Sequence, residues 1–321
     1  HPAMCPEEFP AILPAEVLRR FRVISHDPDD PGSCLYLGET RRGTPVWIRR
    51  DFCDAELKMV VGNIEPHQFA GFSGGVKTAA IGLASAQTIA ANHAWMLHAD
   101  AQLGAYAGNP VRQDIDEIGG MIGIHLALNA VFNNHRKIVR VLAGEPGAVL
   151  HAGLEAARSI CQTAVSHRYG LVISSPGGHP KDINMYQSQK ALAHAALIAA
   201  PGGTIILAAA CPEGSGSRHY EQWMQGKTSH AQVLQAFADE GFHIGPHKAY
   251  QISRDASQAR LLFISDMDEV LARRLLLDRQ PDLQSAIDLA LQDLPGGTVI
   301  GILPHAVSTI PTLECDENEL H

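Results

Sequence analysis

The chain has 321 residues, 45% hydrophobic and 18% charged, with 29 glycines and 19 prolines; this is a globular composition long enough for two domains, and it excludes a disordered chain. Acidic residues outnumber basic ones 34 to 25, for a net charge of −9, and no basic run carries interleaved aromatics, which argues against a nucleic-acid partner. The six cysteines (Cys5, Cys34, Cys53, Cys161, Cys211, Cys315) form no CxxC and read as free thiols of a reducing compartment, the cytoplasm. The apolar stretch 195–210 is interrupted by Pro201-Gly202-Gly203, so no membrane span is expected, and no signal-peptide pattern is visible. A chain that starts His1-Pro2 is expected to be the visible part of a longer one.

In chain order, residues 14–20 predict a short helix and His26-Asp27-Pro28-Asp29-Asp30-Pro31-Gly32 a turn-rich connection. Residues 34–38 and 45–48, parted by Arg41-Arg42-Gly43, predict a hairpin. Leu57-Lys58-Met59-Val60-Val61-Gly62 reads as a buried central strand, and the alanine-rich 85–98 as a helix. Asn109-Pro110 predicts the cap and first turn of a helix over 111–118. Residues 123–132 and 137–143 predict an antiparallel pair, followed by a helix over 148–166. Beyond it, apolar runs at 171–174, 204–209, 261–265 and 298–303 alternate with helical stretches at 186–199, 231–239 and 281–294. Such alternation predicts a mostly parallel sheet covered on both faces. The expected architecture is therefore α/β, with two domains of mostly parallel sheets flanked by helices and an active-site cleft between them. The expected division is 1–166 as a first domain, 167–278 as a second, and 279–321 returning to pack on the first.

Reactive side chains gather in segments just after predicted strands, where open α/β sheets place their sites. The first segment runs from Glu65 to His93 and holds His67, Ser73-Gly74-Gly75, Lys77 and His93. A Ser-Gly-Gly turn with free backbone N–H groups can approach a phosphate or carboxylate closely, though the same turn is also common as plain structure. No GxxxxGK[ST] is present. Lys77 lies among Val76, Thr78, Ala79 and Ala80, where an amine can be activated, can pair with an anion, or can simply lay its stem on apolar neighbours. His67 and His93 can each act as base, acid or metal ligand, or be ordinary polar residues among 17 histidines. No HExxH or paired Cys/His spacing indicates zinc.

A second segment runs from Ser175 to Lys190, in which Gln187 and Lys190 share a helical face as i,i+3 neighbours; together they can bind an acid or its alkoxide, and solvated helix polarity is the alternative. Asp182 and Asn184 are candidate caps. The loop Cys211-Pro212-Glu213-Gly214-Ser215-Gly216, and a helix opened by His247-Lys248, hold comparable positions after their strands.

Together, EPHQFAGFSGGVK (65–77), TIAANH (88–93), GGHPKDINMYQSQKA (177–191), PEGSGSRHYEQW (212–223) and GFHIGPHKAY (241–250) resemble the nickel-pincer lactate racemase family over essentially the whole chain. The resemblance implies a covalently tethered nickel-pincer nucleotide, pyridinium-3,5-bisthiocarboxylic acid mononucleotide, carried by the first domain. Lys77 would hold it through a thioamide, Ser73, Gly74 and Gly75 would contact it, and His93 would be the protein ligand to nickel. His67 and His1 would be the two catalytic histidines on opposite sides of the substrate, and Gln187 and Lys190 the substrate-side residues. The implied reaction is racemisation or epimerisation of a small, lactate-like 2-hydroxy acid by proton-coupled hydride transfer, with cofactor-making proteins as partners and the oligomeric state left open.

Three departures from the family pattern stand out. His1 is followed directly by Pro2, where the family has a His-Arg-Pro-like segment, and the acid-anchoring arginine is expected upstream of His1. Val76 stands where a basic residue is common, and Thr78-Ala79-Ala80-Ile81-Gly82 lacks the family's Pro-Gly. The same cofactor acting on a larger hydroxy acid or sugar-type substrate is one rival reading, and a non-catalytic nucleotide-binding or regulatory homologue another. An NAD dehydrogenase is disfavoured because no GxGxxG follows the 57–62 run.

Overall fold

The computed structural model describes residues 3–133 and 135–314, and the chain divides between Ala157 and Arg158 into two units. In the first, the short helix Ala15–Arg20 and the antiparallel hairpin Cys34–Glu39/Pro45–Arg49 form where the sequence predicts them. The Asn109 side chain caps the helix Pro110–Ile122 by accepting from the Arg112 N–H, and left-handed Gly123 ends it. The helix Ala86–Ala94 is capped by Ser85 and gives way to a 3-10 turn over Trp95–Leu97.

The strand expected to be central is an edge. Met59–Asn63 pairs in parallel with Leu126–Phe132, which pairs antiparallel with Ile138–Gly144, in that order across a three-stranded sheet. Val60 is buried at 3% exposure, whereas Met59 and Val61 on the other face are 47% and 61% exposed. An uninterrupted apolar run carries no period-two signal, so the sequence could not show which face is open.

In the second unit, all five strands of the main sheet run parallel, in the order Asp278–Arg279, Arg260–Ile264, Ala199–Ala208, Tyr169–Ser174, Ile300–Leu303. The side chains alternate between two apolar layers. Val172, Ile205, Leu207 and Phe263 pack with Ala191, Leu192, Ala195 and Ile252 on one face. Leu171, Ile206 and Leu262 pack with Ala286 and Ala290 of the helix Leu283–Leu291 on the other. Both faces are covered, as the alternating pattern predicts.

Three boundaries differ from expectation. The helix predicted over 148–166 spans Pro146–Cys161, and Gln162–Val165 becomes a strand paired with Ile310–Leu313. No Gly or Pro separates these two states in the sequence; the distant partner strand decides between them. Ala199, expected to end the helix, and Pro201-Gly202-Gly203, expected to break the run before the strand, lie within the strand Ala199–Ala208, whose register shifts between Ala199 and Thr204. The strand Ile300–Leu303, expected to return to the first domain, is hydrogen-bonded to Tyr169–Ser174 in the second unit's sheet, where Ile300 and Leu303 join its two apolar layers. No helix among the described residues is long and apolar enough to cross a membrane.

Candidate active-site residues

In the first unit the Ser-Gly-Gly turn follows the edge strand and is held from below. The Ser73 N–H donates to Glu65 O at 2.9 Å, and the Ser73 hydroxyl donates to Asn63 O at 2.9 Å. The Gly75 N–H donates to the buried Asn129 Oδ1 at 2.8 Å. The expectation of a turn with free N–H groups is therefore corrected: two of the three are consumed by the fold, and among the described residues the Gly74 N–H has no acceptor. Glycine is required at Gly74 and Gly75, with φ of +87° and +57°; a Cβ on Gly74 would stand 2.6 Å from Ile64 Cγ1.

Arg112, 1% exposed, lies beneath this turn. Its Nη1 donates to Gly74 O at 3.3 Å, while its Nε donates to Asp116 one turn along the helix at 3.0 Å. The guanidinium thus fixes the turn's carbonyls from behind. Lys77 opens the single-turn helix Lys77–Ala80 directly after the turn and is half-buried. Val76, a departure from the family pattern, fits a local shape: its side chain fills the notch over Gly119, where a Cβ would come within 2.4 Å of Val76 Cβ.

Phe69 brings His67 and His93 together. Its ring makes edge contacts with both, at centroid distances of 4.8 Å to His67 and 5.0 Å to His93. Its backbone is pinned by Asn109, whose Nδ2 donates to Phe69 O at 2.9 Å. The Ala70 N–H donates to His67 Nδ1 at 3.2 Å, so the neutral ring carries its hydrogen on Nε2. For His67 to act as a base through Nε2, that Nδ1 contact has to be exchanged.

The opposite tautomer is built at His93. Asn92 Nδ2 donates to Asp114 Oδ2 at 2.8 Å and to Val111 O at 3.2 Å, which fixes the amide so that its Oδ1 accepts from His93 Nδ1 at 3.1 Å. The lone pair of the neutral ring then lies on Nε2, the form in which an imidazole binds a metal, with the Nδ1–H oriented by a neighbour. Asp114 is itself held by the hydroxyls of Thr40 and Thr44 at 2.5 and 2.9 Å. Among the described residues no group of three or more His, Cys, Asp or Glu side chains could hold a metal ion. A metal at His93 therefore needs ligands from a bound group, and the donor present fits that arrangement.

Asp114, Arg112, Asn129 and Phe69 were not singled out from the sequence. Asp114 is fully buried, and Asp114→Ala would strand three buried donors at about 1–3 kcal/mol each. We expect the variant to lose about 3–5 kcal/mol in denaturant unfolding. A loss under about 1 kcal/mol would show that the network is not a structural element.

In the second unit the predicted loops converge at the start of the helix Met185–Ala196. Asn184 caps it by accepting from the Gln187 N–H at 3.1 Å, and Asn184 Nδ2 donates to Glu213 Oε2 at 3.2 Å. The N–H groups of Met185 and Tyr186 donate to Gly214 O and Ser215 O at 2.9 and 3.0 Å. Asp182 does not cap; its backbone O accepts from Cys211 N–H at 2.8 Å. Lys190 Nζ donates to Gln187 Oε1 at 2.9 Å, so the predicted i,i+3 pair is formed. Tyr186, half-buried on the same helix, stands edge-on to His247. The carboxyl ends of the parallel strands thus present Tyr186, Gln187 and Lys190 on one helical turn. His1 lies outside the described residues, as does Cys315; the other five cysteines form no disulfide.

The two units, with a lysine, histidines and a glycine turn on one and an amide–ammonium pair beyond the strand ends of the other, define a two-domain α/β protein with parallel sheets flanked by helices. Residues 1–104 match the lactate racemase N-terminal domain and residues 165–311 the lactate racemase C-terminal domain. The chain belongs to the lactate racemase family. It is 27% identical over 310 residues to lactate racemase of Thermoanaerobacterium thermosaccharolyticum, covering 95% of this chain and 72% of that protein. It is 28% identical over 207 residues to lactate racemase of Lactiplantibacillus plantarum, covering 64% of this chain and 49% of that protein. The solved lactate racemase apoprotein of T. thermosaccharolyticum superposes with a TM-score of 0.92 at 26% identity, over 97% of this chain and 76% of that one. A Thermotoga maritima protein shares the fold, with a TM-score of 0.73 at 16% identity over 98% of this chain and 84% of that one.

Proposed function

We propose that the chain is an isomerase that racemises or epimerises a lactate-like 2-hydroxy acid with a lysine-tethered nickel-pincer nucleotide. The observation that carries this reading is the buried chain from Thr40 and Thr44 through Asp114 and Asn92 to His93, which sets that imidazole in the metal-binding tautomer. Lys77 would tether the nucleotide, Ser73, Gly74 and Gly75 would border it with the Gly74 N–H available to an anionic oxygen, and His93 would ligate nickel. When bound, this group supplies the acceptor and donor for the substrate's Cα hydride.

The chain's own residues handle protons and position. His67 would exchange its Nδ1 contact with the Ala70 N–H so that Nδ1 carries the ring hydrogen, take the substrate hydroxyl proton at Nε2, and return it from the imidazolium. His1 would do the same from the opposite side. Lys190 would stabilise the alkoxide or carbonyl oxygen and Gln187 would orient it, the two side chains already being hydrogen-bonded to each other.

The test is a substrate panel with nickel-loaded holoprotein made beside the cofactor-making proteins. Inversion of lactate is the expected result. Faster turnover of bulky or polyhydroxylated acids would move the reading to a larger substrate, in line with the apolar Val76 beside the tether. No adduct by intact mass and no bound nickel, with the biosynthetic proteins present, would leave a non-catalytic homologue.

A further inference from the structure

The second unit buries a lysine that the chemistry above does not use. Lys248 stands in the first turn of the helix Pro246–Ala256 and is 4% exposed. Its amine donates to Gln251 Oε1 at 2.9 Å and lies 4.7 Å from the centroid of the Tyr186 ring. Among the described residues no carboxylate pairs with it. Burial, and next the charge of Lys190, push it well below the ordinary lysine range. The N-terminal end of a helix also disfavours a cation.

Its surroundings offer little else that titrates against it. The helices packed on Pro246–Ala256 carry Tyr186, Lys190 and His194 (185–196), Arg218, His219, Tyr220 and Glu221 (218–223), and His230, Asp239 and Glu240 (230–240). Of their charges only that of Lys190 acts on Lys248. On its own helix, Arg254 and Asp255 pair with each other at 2.8 Å. The neighbouring His247 accepts the Gly245 N–H on Nδ1 at 3.1 Å.

Resting on the hydroxy-acid reading, we propose that Lys248 is a positioning residue behind Tyr186, Gln187 and Lys190, and that it takes up one proton from solvent when a 2-hydroxy acid, whose carboxylate is bonded to the carbon that bears the oxygen held by Lys190, docks there. No bond to substrate forms; the amine becomes an ammonium and the acid anion then faces two positive charges instead of one. With the anion absent, a buried ammonium at Lys248 and the half-buried one at Lys190 would repel each other, so the second charge appears only with its counter-ion. The device selects acids: a neutral amide of the same shape gives no reason for the proton to enter.

The experiment uses the full chain labelled with 13C at the lysine ε carbons, read by NMR at about pH 8, well below the ordinary lysine range. One lysine signal is expected at the uncharged-amine position and is absent from Lys248→Met. Lysine-to-glutamine replacement at the same position, Lys248→Gln, gives the assignment if the first variant does not fold. Lactate is expected to move this signal to the charged position and lactamide to leave it. In loaded enzyme, Lys248→Met is expected to raise KM for the acid about tenfold with a smaller change in kcat, a scale set by one charge-assisted contact. A uniformly charged set of lysines overturns the proposal. So does an uncharged Lys248 signal that ignores lactate while the Lys190 signal responds. If neither signal responds to lactate, the hydroxy-acid reading falls with it, so the two failures are told apart by Lys190.

Discussion

A Lys77→Ala protein, made alongside the cofactor-making proteins, is expected to show no covalent adduct by intact mass, while His93→Ala is expected to keep the adduct and lose its nickel. The two outcomes separate because the side chains do different work from different elements. Lys77 sits at the head of a single-turn helix, immediately after a turn whose carbonyls are tied to Arg112 and whose Gly75 N–H is tied to Asn129. Only an amine there can form the amide-type link, so Lys77→Arg, which keeps the charge, is expected to fail as completely as alanine. His93 hangs from the last turn of the Ala86–Ala94 helix, and its removal leaves the turn intact. Asn92→Leu provides a graded case: His93 loses the acceptor that holds its Nδ1–H, and nickel affinity is expected to fall about 10–100-fold with the adduct unchanged. An adduct on Lys77→Ala would end the tether assignment, and full nickel retention by His93→Ala would end the ligand assignment.

The positions of much of this candidate site were legible in the sequence because they obey a positional rule. Lys77, His93, Gln187 and Lys190 all follow predicted strands, and the parallel sheet announces itself through apolar runs separated by helices. What supports those residues was not legible. Asp114 lies in Val111-Arg112-Gln113-Asp114-Ile115-Asp116, which reads as a helix with a solvated face; yet Asp114 and Arg112 are buried and Asp116 is not. The partners that make this burial tolerable, Thr40 and Thr44, are 74 and 70 residues away in sequence, beyond any local pattern. A periodic polar residue looks the same whether water or a distant hydroxyl satisfies it. The available signal was charge spacing: Arg112 and Asp116 are i,i+4 partners, and that pairing was open to reading. The edge strand 59–63 and the strand 162–165 were misread for a related reason, since pairing partners far along the chain decide both.

The second large effect is on stability against pH and lies at His194, one turn along the helix from Lys190. Its Nδ1 donates to Thr309 O at 2.6 Å, tying the helix to the segment before the last described strand. Burial is the main influence on it and outweighs the hydrogen bond to Thr309, so the imidazole is held at about 4 against an ordinary 6.5. Between those values the unfolded chain binds a proton that the native chain refuses. Unfolding is therefore favoured as pH falls through this window, the contribution being intact above about 6.5 and fully lost below about 4. The difference amounts to about 3 kcal/mol. His194→Leu removes the proton site and leaves Thr309 O without this donor, at about 1 kcal/mol. At neutral pH the wild type is thus expected to be slightly the more stable of the two, and on acidification its denaturant midpoint should fall toward and then below that of the variant. Comparing the two proteins cancels the carboxylates that titrate in both. Parallel curves from neutral to acidic pH would mean that His194 is protonated in the folded chain, and that the helix bearing Lys190 carries one more positive charge than its burial allows.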